Sequence, residues 1–135
     1  MHTYTRTRRS PVEVLAALVG GLAFLVPGLW AFAWPKSFYD NIATFPPYNE
    51  HLFHDLGAFQ LAIGVALLAA LIWTDALFAA LLGGSVGMVV HAISHFIDHD
   101  LGGRDSDSWV LSLVALLMLI GLARRAPART IRNLR

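Results

Sequence analysis

Residues 56–96, LGAFQLAIGVALLAALIWTDALFAALLGGSVGMVVHAISHF, decide the fold. Asp75 is the only Asp, Glu, Lys or Arg in this stretch, and the Thr74-Asp75 pair divides it into two apolar runs, Leu56 to Trp73 and Ala76 to Phe96. Each run approaches the roughly 20 residues that carry a helix across a 30 Å hydrocarbon layer. The polar break between them is too short for anything but an antiparallel hairpin, so Thr74 and Asp75 are predicted to cap the second helix of the pair.

Two further apolar runs lie outside this stretch, Val12 to Trp34 before it and Trp109 to Ala123 after it. The prediction is an all-α fold, a four-helix transmembrane bundle in a lipid bilayer. Composition agrees. Of 135 residues, 56% are hydrophobic and 14% charged, mean hydropathy is +0.59, and soluble domains carry roughly 25% charged residues. A single soluble domain this small could not hide so much apolar surface. The chain has no cysteine, which excludes disulfides, thiolate metal sites and cysteine nucleophiles.

Helix ends are marked locally. Ser10, Pro11 and Glu13 form a start signal in which the Ser10 hydroxyl caps the backbone and Glu13 reaches back to it. Pro27 followed by Gly28 is expected to bend the first helix, and Asn49 is a cap for the second. Eight of the ten Lys and Arg residues flank the bundle, at Arg6, Arg8 and Arg9 and at Arg124, Arg125, Arg129, Arg132 and Arg135. The positive-inside rule then puts both termini in the cytoplasm, which an even number of spans allows, and places the chain in the plasma (inner) membrane. The organisation read from these signals is a basic tail over 1–10, a membrane domain over 11–123 with outer loops at about 35–50 and 98–108, and a basic tail over 124–135. The loop from Pro35 to Tyr48 has room for an interfacial helix turn. A secretory signal over the first run, with Ala31-Phe32-Ala33 as cleavage site, is disfavoured by that run's length and its proline and tryptophans. The basic flanks are read as orientation signals and lipid contacts, with no nucleic-acid partner.

Polar chemistry concentrates on the outer side, which holds seven of the nine acidic residues and five of the six histidines. One cluster is Glu50, His51, His54 and Asp55; the other is His91, His95, Asp98 and His99. Helical steps of four residues drift by only about 40°, so His91, His95 and His99 share one face within roughly 80°. Beneath them run Gly87, Gly83 and Ala79, and beneath the other cluster run Ala58, Ala62, Ala66 and Ala70. The expectation is that these two small-residue stripes pack together and bring the clusters to a common centre. Imidazoles mixed with carboxylates suit Zn²⁺, Fe²⁺ or Mn²⁺, and Cu²⁺ less selectively. The candidate ligands are His54, Asp55, His91 and His95, with His51, Asp98 and His99 as outer or alternative donors, and Glu50 is the candidate general base. A b-type haem held by one histidine from each helix is the alternative cofactor. The plain counter-reading is that these groups are solvated at helix ends. Gln60, inside the second span, is read as interhelical glue, and Met88 and Met118 as packing. The glycines around Gly83 follow no strand and carry no phosphate-binding signal.

Phe38-Tyr39-Asp40, Pro47-Tyr48-Asn49-Glu50-His51-Leu52, Asp55-Leu56-Gly57-Ala58 and Ser94-His95-Phe96 resemble a family of small four-span bacterial membrane proteins, mainly actinobacterial and loosely DoxX-like. The resemblance covers residues 11 to 123, is specific in the outer-loop motif, and implies topology and no defined reaction. The functional expectation is therefore a metal-binding membrane protein, with metal-dependent oxidoreductase or hydrolase chemistry at its outer face. The alternative is a non-catalytic accessory subunit that docks membrane partners or a second copy of itself. A transporter or channel is disfavoured, because no charged residue lies in mid-membrane to mark a path.

Overall fold

The computed structural model describes residues 9–125. His2, Arg6, Arg8, Arg129, Arg132 and Arg135, which carry most of the predicted basic flanks, lie outside the described residues. The described residues are all-helical in their regular structure, with α1 over Pro11–Ala33, α2 over Pro35–Asn41, α3 over Glu50–Ala69, α4 over Leu77–Ile97 and α5 over Asp107–Arg125. Four of these, α1, α3, α4 and α5, are long and apolar enough to cross a membrane, which makes this a multi-pass membrane protein.

Two predicted caps form. The Ser10 side chain accepts from the Glu13 N–H, and the Asn49 side chain accepts from the Leu52 N–H. Others do not. Glu13 turns into the bundle and does not reach back to Ser10, so the capping box is only half made. Thr74 and Asp75 sit inside a run of turns, and α4 begins after Ala76 with no side-chain cap. α3 stops at Ala69, short of the expected Trp73. The interfacial turn in the first connection is α2, started by Pro35 at its first position and held over α1 by a hydrogen bond from the Trp30 indole to Ser37.

Glycine decides which helices touch. On α1, Gly21 and Gly28 are seven residues apart, as are Gly57 and Gly64 on α3, a spacing that returns to the same helix face. A Cβ at Gly57 would lie 2.8 Å from the Gly28 carbonyl oxygen, and one at Gly64 would lie 2.7 Å from the Leu25 nitrogen. The backbones of α1 and α3 are therefore in direct contact, a packing mode open only to the smallest residues. α5 closes on α1 by fitting side chains against glycines, with Gly121 against the Ala16 methyl and Gly20 against the Met118 thioether. Met118, fully buried, also meets Gly84 of α4, and Met88 is buried in the same core, as their packing role predicts.

The expected seam between the alanine stripe of α3 and the Gly/Ala stripe of α4 is not formed. Ala58, Ala62 and Ala66 are exposed, as is Ala79, and a Cβ at Gly83 would meet nothing within 4 Å; of the two stripes only Ala70 is buried, and Gly87 lies within van der Waals reach of the α3 residue Ile63. The closest pairs are α1 with α3 and α4 with α5, while consecutive α3 and α4 share much less. The physical reason is that lipid is as apolar as alanine, so an alanine stripe has no cause to leave it unless backbones can also interlock.

Candidate functional site

At the α2 end of the bundle, the α4 rungs His91 and His95 lie one turn apart, both half-buried, with their Nε2 atoms 3.2 Å from each other. Ser94 donates to the His91 carbonyl, tightening this last turn. The Phe45 ring stands edge-on to His95 with centroids 5.8 Å apart. Phe45 is in turn close to Gly103, whose left-handed φ of 81° is a conformation that favours glycine. A Cβ there would sit 2.9 Å from Phe45 and 3.5 Å from Asp107 Oδ2. Asp107, the first residue of α5, accepts from the Arg104 N–H in the preceding turn.

The two long connections latch over this corner. The Gly103 N–H donates to the Thr44 hydroxyl and the Arg104 guanidinium donates to the Asn41 carbonyl. Beside His95 opens a cleft of about 420 Å³, lined by His95, Phe96, His99, Arg104, Asp105 and Trp109 among others, with the buried Ser108 at its side.

The remaining predicted site residues are spread over separate places. His51 and Asp55 pair at 3.5 Å on the exposed side of α3, with 84% and 57% of their side chains open. His54 packs its ring against Phe32 of α1, at 5.3 Å, because α3 turns its glycine face and not its alanine face to a neighbour. Glu50 is exposed in the first turn of α3. α4 ends at Ile97, so Asp98 becomes its C-cap and His99 leaves the helical ladder to pair with Asp100 at 3.2 Å in the open. Among the described residues, no group of three or more His, Cys, Asp or Glu side chains is arranged to hold a metal ion.

Near α3 the polar residues serve a different structure. Phe38 and Phe53 are buried with Ala31, flanked by Trp30, Tyr39 and Tyr48, and the Lys36 ammonium lies 5.4 Å and 5.7 Å from the Tyr39 and Tyr48 ring centres. Partial burial, then the Glu50 carboxylate, push the Tyr48 phenol above its ordinary value; Asp40 adds to this and Lys36 opposes it.

Asp107, Phe45 and Ser108 were not among the residues singled out from the sequence as site members. The signal for Asp107 was present: it opens the helix that follows α4, and antiparallel neighbours share depth. Gln60 is buried against Gly28 of α1, in keeping with an interhelical role, although its Oε1 has no hydrogen-bond partner among the described residues. Comparison with protein-family models, curated proteins and solved structures finds no match for this chain.

Proposed function

We propose that this protein binds a divalent transition-metal ion at the outer end of α4, with His91 and His95 as nitrogen ligands. One observation carries the reading: the 3.2 Å between the two Nε2 atoms. Two nitrogens bound to one ion at about 2.0–2.1 Å, at angles between square-planar and tetrahedral, stand about 2.9–3.4 Å apart. The pair is already spaced as neighbouring ligands. Without an ion, the same distance lets the rings share one proton, so metal uptake competes with protonation. Haem fits less well, because axial nitrogens lie on opposite sides of the iron, about 4 Å apart at twice a metal–nitrogen bond.

Two imidazoles leave coordination positions open, the condition for the hydrolytic or redox chemistry of a metal-dependent membrane enzyme. Glu50, His51, His54 and Asp55 lie at the start of α3, apart from the His91–His95 pair, and take no part in this reading. The basic flanks and the likeness of the loop motif to small four-span bacterial proteins support a plasma-membrane location with this corner on the extracytoplasmic side. The accessory-subunit reading is favoured by the small residues left facing lipid, Ala58, Ala62, Ala66 and Gly83, which are suited to partner helices.

Elemental analysis of detergent-purified protein separates the two. Stoichiometric Zn, Fe, Mn or Cu that is lost in H91A and H95A and kept in H54A supports the metal centre. Metal-free protein, with unchanged stability in H91A, leaves the accessory reading.

A further inference from the structure

We infer that the cleft between the end of α4 and the start of α5 holds the headgroup of a zwitterionic phospholipid with a primary ammonium, its phosphate on Arg104 and its ammonium on Asp105. The inference goes beyond the metal-binding reading and does not depend on it. Depth supplies the first argument. Trp109, in the first turn of a membrane-spanning helix, is 68% exposed and meets Phe96, 49% exposed, edge-to-face with ring centroids 5.6 Å apart. Both rings line the cleft. Tryptophan at the end of a span belongs at the level of lipid headgroups, so the aromatic wall of the cleft stands at that level. One helical turn further into the bilayer, Leu113 of α5 and Ile93 of α4 are exposed and offer an apolar surface to acyl chains.

The charges of the lining select the headgroup. Arg104 and Asp105 are both exposed and both line the cleft, and the ion pairs among the described residues lie elsewhere, so these two opposite charges do not neutralise each other by contact. The Arg104 guanidinium gives one hydrogen bond to the Asn41 carbonyl and keeps further N–H donors in the fork that suits a phosphate. Ser108, only 8% exposed at the side of the cleft, has its carbonyl bonded by Ser112, while its hydroxyl takes part in no hydrogen bond among the described residues. That hydroxyl is a donor for a phosphate or ester oxygen. An anionic headgroup here sets its phosphate beside Asp105 with no cation of its own to offset the repulsion, and a purely cationic one meets Arg104. A headgroup carrying both signs satisfies both residues. A primary ammonium suits Asp105 better than a quaternary one, because it donates hydrogen bonds to the carboxylate. The cleft, at about 420 Å³, falls within the roughly 300–1,000 Å³ of ligand pockets.

The test is native mass spectrometry of the full-length protein in detergent, titrated separately with phosphatidylethanolamine, phosphatidylcholine and phosphatidylglycerol of identical acyl chains. The wild type is expected to retain one phosphatidylethanolamine at least about threefold more tightly than either of the others. D105N is expected to lose the preference over phosphatidylglycerol, R104Q to bind all three lipids about threefold more weakly, and D75N, in the α3–α4 turn, to keep the wild-type ranking. Because R104Q also removes the bond to Asn41, D105N, an exposed replacement, decides the matter if R104Q fails to fold. Equal retention of the three lipids by the wild type, or an undiminished preference in D105N, overturns the inference. So does binding of water-soluble glycerophosphoethanolamine as tightly as the lipid, which makes the ligand a free headgroup compound. None of these readouts involves a metal ion, so the metal-binding reading stands or fails separately.

Discussion

Glu13 and Arg125 are far apart in sequence and belong to the first and last spans. The Arg125 guanidinium lies 3.7 Å from Glu13 Oε2, with only 12% and 6% of the two side chains exposed, and it also donates to the Thr74 carbonyl. Arg9 donates to the Leu71 carbonyl. One end of the bundle is thus fastened by charges that the sequence suggested were an N-terminal cap and orientation signals in contact with lipid. Each also sits where its helix dipole favours it, the acid in a first turn and the base in a last turn. Removing one partner leaves the other charge buried, so R125M or E13Q is expected to cost about 3–5 kcal/mol in a denaturant titration of micelle-embedded protein. The double replacement E13L with R125M is expected to cost less than the worse single variant. Equal losses in all three would remove the clasp as a stabilising contact.

At the scale of the helix, two glycines on consecutive spans make opposite predictions. A Cβ at Gly64 would press on the α1 backbone, 2.7 Å from the Leu25 nitrogen and 2.9 Å from the Gly21 carbonyl, atoms that no rotamer change can move aside. G64A is therefore expected to destabilise by about 1–3 kcal/mol. Gly83 faces open space, and G83A is expected to be neutral or to stabilise by up to about 1 kcal/mol, through helix propensity. Thermal unfolding of both in the same detergent gives the comparison. A destabilised G83A beside an unaffected G64A would mean that the α3–α4 stripes, and not the α1–α3 glycines, form the tight seam. Hydropathy alone placed all four spans, whereas their pairing was legible only in the seven-residue glycine spacing, a weaker signal than the alanine stripe beside it.

For the whole molecule, four candidate crossings put the start of α1 and the end of α5 on the same side of the bilayer, and the arginine-rich flanks predict that this side is the cytoplasm. The cysteine-free chain suits a labelling test. T44C, in the first long connection, is expected to react with a membrane-impermeant maleimide on intact cells, and D75C, in the turn between α3 and α4, only after lysis. The reverse pattern would invert the orientation, and equal labelling of the two would contradict the four-span topology. The same arrangement gathers the two long connections at one end, where the hydrogen bonds from Gly103 to Thr44 and from Arg104 to Asn41 tie them over His95.

What the chain carries locally was enough to determine four apolar helices, the Ser10 and Asn49 caps and the concentration of histidines and carboxylates at one end. These are contests between a short segment and its solvent, so they can be read residue by residue. Tertiary structure decided the rest: that α3 turns its glycines to α1, that His54 meets Phe32, and that Glu13 finds Arg125. Inside a bilayer, apolar burial barely distinguishes one neighbour from another. Partner choice falls instead to close backbone approach and to the few polar groups that need one another, and these depend on several spans at once.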